Sequence, residues 1–302
     1  MPLLSTKRKI EQIDWSASTL VSRDLPKTVY RNLRLYLSLT HTNTDSSATL
    51  LEVLDMVSKL ELVINGQDNI QVMPLFHLYY QNLFDFSQAP LSSVHAAASG
   101  ASTSYVSLIM PQIILRGARK NDTVLDARRF SSLVLNANWG AASGITDATV
   151  SAGYLGLDTD EYANVPDGFQ LGRHEYAFET RNLDSVGDIQ IKLDTGGNNV
   201  YYRIWIYTFN SSSVLADGLV TNIELGTRNV PVINQLTARL QADNMLKYSI
   251  SKQAGVYVLD LTTDGRMSEC LNARNLSDVI LTLTSTVTDG SVKIVYEKVI
   301  LD

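Results

Sequence analysis

Hydrophobic and polar residues alternate with a period of two along much of this chain. From Val29 to Thr40, Leu33, Leu35, Leu37 and Leu39 fall on one face, with Arg34, Tyr36 and Ser38 on the other. That spacing predicts a half-buried β-strand, because successive side chains of extended backbone point to opposite sides. Lys59 to Ile64 reads as a strand, and Asn65-Gly66 behind it supplies strong hairpin-turn chemistry. Further strands are predicted at Ser18–Ser22, Tyr105–Leu115 (bent at Pro111), Ser132–Trp139 and Ala148–Leu157. Val200 to Phe209 is apolar on both faces, as expected of a strand covered on both sides. Val256–Leu261, Val279–Leu283 and Ser291–Leu301 complete the strand set.

Two stretches change period. Leu75, Leu78, Tyr79, Asn82 and Leu83 form a helical stripe behind Pro74, which suits the first turn of a helix. A second helix is expected from Pro231, with Ile233, Leu236 and Leu240 as its apolar positions. Leu50 to Val57 fits helix or strand equally, and the Ser/Ala/Gly-rich run from Ser87 to Ser104 reads as a long loop.

The elements repeat. Leu125-Asp126-Ala127-Arg128 returns as Leu271-Asn272-Ala273-Arg274, 146 positions later in a chain of 302. Val200–Phe209 echoes the run from Tyr30 to Tyr36, and Asn222–Leu225 echoes Lys59–Leu62. Each half reads as several strands with one short helix after a central strand. The expected fold is all-β: two tandem jelly-roll barrels or sandwiches, without the spaced helices of parallel βαβ units. The expected division is an N-terminal arm or short helix at 1–14, a first jelly roll at 15–157, an acidic linker at 158–168 and a second jelly roll at 169–302.

Composition narrows the class. A hydrophobic content of 45% with 19% charged residues suits a globular chain with a sizeable core. The net charge of −6 argues against a basic surface for sequence-specific nucleic-acid binding. The single cysteine, Cys270, rules out an internal disulfide or a Cys-based zinc site; beside a strand it reads as a small buried residue. Val124 stands at its place in the first half, so the thiol is not part of the repeated design. With no signal-peptide pattern and no long apolar run, a reducing cytoplasm is the expected site of synthesis.

Candidate chemistry is sparse. His41, His77, His95 and His174 are scattered, with no pair spaced to share a metal. No nucleophile elbow, phosphate loop or zinc-protease motif occurs. Gly196-Gly197 sits in a hairpin-like turn, not between a strand and a helix. Carboxylate pairs such as Asp184/Asp188 and Asp264/Glu269 are as expected by chance among 31 acidic residues. Asp158, Asp160 and Glu161 could gather a cation, but lack the distal bidentate glutamate of an EF-hand loop. No catalytic, cofactor-binding or metal-binding residue is therefore assigned. Thr6-Lys7-Arg8-Lys9 is either a basic arm for an acidic partner or a solvated tail.

The tandem phrases resemble the double jelly-roll major capsid proteins of tailless, icosahedral, membrane-containing bacteriophages. The residues that carry the likeness are the turn and helix after Leu60–Gly66, the run Val258–Leu261 through Leu271-Asn272-Ala273-Arg274 to Leu276-Ser277, and the closing Val292–Glu297. Within that group the pattern is most like a lipid-containing flavobacterial phage. The resemblance implies a non-enzymatic virion protein, assembled in the host cytoplasm. It implies homotrimers whose six jelly rolls make pseudo-hexagonal capsomers of an icosahedral shell around a membrane and genome. Partners would be neighbouring capsomers, minor capsid, penton and membrane proteins, with peripheral contact to the internal lipid through Lys7, Arg8 and Lys9. Two other classes stay open. One is a two-jelly-roll glycan-active hydrolase or amidase; the other is a carbohydrate-binding protein using Tyr201, Trp205 and Tyr207.

Overall fold

The computed structural model describes residues 5–115, 123–163, 165, 172–195, 199–227, 230–262, 266–274, 276 and 278–300. They divide into two units, one holding the described residues from Ser5 to Val165 and the other those from Gly172 to Ile300.

In the first unit, one sheet is built from β1 (Ser5–Asp14), β3 (Val29–Asn43), β6 (Ser92–Ser93), β7 (Gly100–Pro111) and β10 (Ala148–Tyr162). Its antiparallel order is β1-β10-β3-β7-β6, with β8 (Leu125–Asp126) paired to the start of β3. The facing sheet runs β5-β4-β9-β2, from β2 (Leu20–Asp24), β4 (Val57–Ile64), β5 (Asp68–Met73) and β9 (Leu133–Trp139). The leucines at 33, 35, 37 and 39 are at most 1% exposed, so the period-two pattern marks the core face as expected. Leu35 lies level with Leu108 on one side and Leu157 on the other, which makes an apolar row across three strands.

The second unit repeats this plan apart from the short β6. Its sheets run β16-β13-β19-β11 and β12-β18-β14-β15. The strands are β11 (Arg173–Asn182), β12 (Gly187–Leu193), β13 (Asn199–Phe209), β14 (Val220–Thr227), β15 (Val230–Leu236), β16 (Val256–Asp260), β18 (Val279–Ser285) and β19 (Ser291–Ile300), with β17 (Leu271–Asn272) on the start of β13. Ile204, Ile206, Ile223, Leu225, Leu281, Leu283 and Ile294 form its core between the sheets.

Three α-helices join the strands among the described residues. α1 (Leu50–Asp55) carries a capping box: the Thr49 N–H donates to Glu52 at 2.8 Å and the Glu52 N–H to Thr49 Oγ1 at 3.2 Å. α2 (Leu75–Phe86) and α3 (Thr237–Tyr248) follow β5 and β15, and each ends on a left-handed serine, Ser87 or Ser249. Asn65 and Gly66 both take positive φ, as a tight β4–β5 turn requires.

Four expectations are corrected. The N-terminal segment is neither arm nor helix over Ser5–Asp14: it is a full strand laddered along β10 from Ser5 opposite Tyr162 to Asp14 opposite Tyr154. The first unit therefore begins at β1 rather than at residue 15. The acidic run Asp158–Glu161 belongs to β10, so the strand continues where a linker was expected. The second helix begins at Thr237, because Val230–Leu236 pairs with β14; Pro231 stands on the edge strand of its sheet, where a missing N–H does no damage. The ladder of β7 starts at Gly100, so the end of the Ser/Ala/Gly-rich run is strand. The turns at Thr263–Gly265 and Gly196-Gly197 lie outside the described residues.

Candidate functional site

The repeated phrase is where the two units can be compared atom by atom. Asp126 and Asn272 each accept from the backbone N–H two residues on, Arg128 at 3.2 Å and Arg274 at 3.1 Å. The N–H of fully buried Ala127 donates to Thr28 O, and that of Ala273 to Asn199 O. Val29 and Tyr30 sit opposite Asp126 and Leu125 in the same register as Val200 and Tyr201 opposite Asn272 and Leu271. The phrase therefore anchors a connector to the start of a sheet strand in both units. It is scaffold, and Cys270 beside it is buried, with burial and nearby Asp260 and Glu269 pushing its thiol up to about 12. A thiol held protonated in this way is no nucleophile.

The basic N-terminal residues fall on β1, opposite acidic β10. Lys7, Arg8 and Lys9 lie level with Asp160, Thr159 and Asp158. Arg8 pairs with Glu161 at 3.2 Å; its side chain is half exposed while the carboxylate is buried. Asp160 is held by Arg34 at 2.9 Å and by Asn32. Burial alone would raise the Asp160 pKa, but Arg34, Asn32 and Lys7 outweigh it and hold the carboxyl below the ordinary aspartate range. The three carboxylates suspected of gathering a cation thus include two already engaged by arginines. Among the described residues, no group of three histidine, cysteine or carboxylate side chains could hold a metal.

The carbohydrate-binding candidates fail on exposure. Tyr201 is 2% exposed, and Trp205 and Tyr207 are fully buried. Trp205 and Tyr207 stack with planes 8° apart, and Arg203 lies 5.1 Å above the Trp205 ring while paired with buried Glu297. A buried aromatic ladder of this kind packs and cannot stack on a sugar.

A broad concavity lies on the outer face of the first unit's β1-β10-β3-β7 sheet. It is an open groove of about 770 Å³ lined by Arg34, Tyr36, Tyr154 and Ser107, with Lys9 and Arg23 at its rim. Tyr36 stacks on Tyr105 at 6.0 Å and meets Tyr154 at 6.2 Å. A shallower concavity shares Arg34 and Ser107 and reaches Phe86 and Leu91. Neither holds a buried acid–base pair or a nucleophile. Sequence reasoning placed Tyr36 on the solvent face but missed the groove, which forms only when β1, β3, β7 and β10 lie side by side.

Comparisons with known proteins agree with this scaffold-and-surface character. Residues 176–300 match the family model of the viral coat protein P2 C-terminal domain. No curated protein sequence matches the chain. Among solved structures, the chain is similar to the major capsid protein of Sulfolobus turreted icosahedral virus, with a TM-score of 0.78 at 16% identity over 99% of this chain and 97% of that one. It is also similar to the major capsid protein P2 of bacteriophage PM2, with a TM-score of 0.68 at 13% identity over 99% and 98%. The PBCV-1 capsid protein VP54 gives a TM-score of 0.69 at 9% identity over 99% and 94%. At such identities the structural likeness establishes the fold, and the narrower flavobacterial expectation has no support in it. The family match thus covers the second unit, and the double jelly-roll fold spans the whole length of the chain.

Proposed function

We propose that the chain is the major capsid subunit of an icosahedral virus, assembling as trimers whose six jelly rolls make a pseudo-hexagonal capsomer. The observation that carries this reading is the repetition of one jelly roll, with the same strand order, within the chain. Two similar units per subunit let three subunits approximate a six-fold ring, and such a ring tiles a shell. The same reading places minor capsid and penton proteins at its edges and an internal membrane with the genome beneath it. Lys7 and Lys9, exposed on β1, are the residues offered for peripheral contact with anionic lipid. Each basic residue near such a surface contributes on the order of 1 kcal/mol, enough to assist docking but not to anchor a shell. Arg8, engaged by Glu161, contributes less than its charge suggests.

Light scattering of the purified full chain tests the assembly. The expected mass is three times that of one chain, and six-lobed particles are expected in negative stain. A monomer at every concentration tried, with no larger particles, overturns the reading. Replacing Lys7, Arg8 and Lys9 with serine tests the lipid contact separately. Flotation with phosphatidylserine vesicles should fall; unchanged flotation rules the contact out and leaves the assembly standing.

A further inference from the structure

Equivalent surfaces of the two units differ in whether they are covered. Asn82 and Asn244 occupy the same place in α2 and α3, an offset of 162, and each clamps the backbone of the strand that follows. Phe76 and Phe84 of α2 therefore correspond to Ala238 and Leu246 of α3. Phe76 and Phe84 are 0% and 1% exposed, whereas Leu246 is 81% exposed. Ala238, Ala242, Met245 and Leu246 share one exposed helical face, at spacings of three, four, seven and eight residues. Leu236, at the N-cap of α3, adds a further apolar side chain that is 61% exposed.

The sheets show the reverse asymmetry. β3 and β13 align at an offset of 171 through their pairing with β8 and β17, so Arg34 and Tyr36 correspond to Trp205 and Tyr207. Trp205 and Tyr207 are fully buried, while Tyr36 is 39% exposed at the centre of the aromatic groove. Phe86 and Leu91, in the neighbouring concavity that shares Arg34 and Ser107 with the groove, are 46% and 69% exposed. One repeat of each surface is thus buried and the other left open. The open helix face lies on the second unit, and the open sheet face on the first.

We propose that the exposed face of α3 in one copy docks onto the Tyr36 groove of a second copy of this chain. The occupant is a second copy because these two open patches are the repeat counterparts of surfaces that the chain already buries. Both patches are edged by charges of both signs that can pair: Arg239 and Asp243 flank the α3 stripe, and Glu11, Asp14 and Asp158 stand with Lys9, Arg23 and Arg34 around the groove. The patches differ from each other, so the contact is head-to-tail, and such contacts propagate until a ring closes. This rests on the assembly proposed above and names the surfaces that make it.

The test begins with the mass of the unaltered full chain, then compares Leu246→Asp and Tyr36→Asp. Each variant alone is expected to lose the assembled species and run as a monomer, with unchanged far-ultraviolet circular dichroism and melting temperature. An equimolar mixture is expected to regain a two-chain species, because each variant keeps the surface the other lacks. Assembly of either variant like the unaltered chain overturns the inference while the coat-protein reading stands. Monomeric variants that gain nothing on mixing also overturn it. An unaltered chain that is itself monomeric removes both. Should a variant misfold, a Cys270→Ser chain carrying Leu246→Cys and Ser107→Cys replaces it. A short bismaleimide should link separate chains of this protein, but not of a control with Val186→Cys in place of Leu246→Cys; linkage equal in the two overturns the inference.

Discussion

Asn82 and Asn244 each hold a helix to the next strand with two hydrogen bonds of one side-chain amide. Asn82 accepts from the Ile109 N–H and donates to its carbonyl, both at 2.7 Å; Asn244 does the same to Val258 at 2.9 Å. Val258 is fully buried, so truncating the amide strands a donor and an acceptor away from water. At about 1–3 kcal/mol for each unsatisfied group, Asn244→Ala should destabilise the chain by roughly 2–5 kcal/mol. Chemical denaturation of the chain should show a lower midpoint with an unchanged slope. A loss no larger than a surface substitution gives would mean that water replaces the amide. Asn82 was legible in the sequence only as a polar residue on an apolar stripe. Its partner lies 27 positions away on another element, and nothing in the local pattern points there.

At the scale of elements, local chemistry decided some segments and pairing decided others. The ambiguity over Leu50–Val57 is settled by the Thr49/Glu52 capping box, which starts a helix, and by pairing of Val57 with Trp139, which begins the next strand. Glu52 also accepts from the Thr146 N–H at 3.1 Å. Burial would raise its pKa, but the hydrogen bonds from Thr146 and Thr49 win and hold it low. Thr49→Ala should therefore destabilise α1 by about 1 kcal/mol, the ordinary loss for an N-cap. Thr49→Ser should restore most of it, and equal melting of the two variants would show that the cap is idle. Pro231 misled for a physical reason: the first turn of a helix and the edge of a sheet both tolerate a residue without an N–H. Only the position of β15 at the end of its sheet, beside β14 alone, separates the two. Ser5–Asp14 was missed as a strand because eight of its residues are charged or polar and read as a solvated tail. Edge strands often carry such charge.

Across the whole molecule, carboxylates held below their ordinary range recur in both units. Asp160 is held by Arg34 and Asn32; Asp126, first by its hydrogen bonds to Arg128; Asp217, against its own burial, by Gly255, Lys252 and Gln241. Buried Asp260 is held down by Arg203, Tyr248 and Lys247 against desolvation. Each binds its proton less readily in the folded chain than in the unfolded one. Their stabilisation is full above the ordinary aspartate value near 3.8 and is lost as pH falls through the lower native values. Acid should therefore loosen the fold from about pH 5 downward. Asp260→Asn should flatten that acid limb in melting temperatures taken from pH 6 to pH 2.5; a limb as steep as that of the unaltered chain would show that Asp260 does not contribute.

The sequence by itself determined the class of the fold, the duplication and the core faces. Period-two alternation and the return of Leu-Asp/Asn-Ala-Arg depend on local backbone geometry and on which side chains avoid water, and both are written residue by residue. The tertiary structure alone decided which polar groups meet. The pairing of Lys7–Lys9 with β10, the asparagine clamps and the aromatic groove join residues far apart in the chain, and their geometry depends on strand register. It also decided which repeat of each surface is covered. Tyr36 and Tyr207 are the same residue type at equivalent positions, one exposed and one buried, because burial is a property of the neighbours that folding brings and not of the side chain itself.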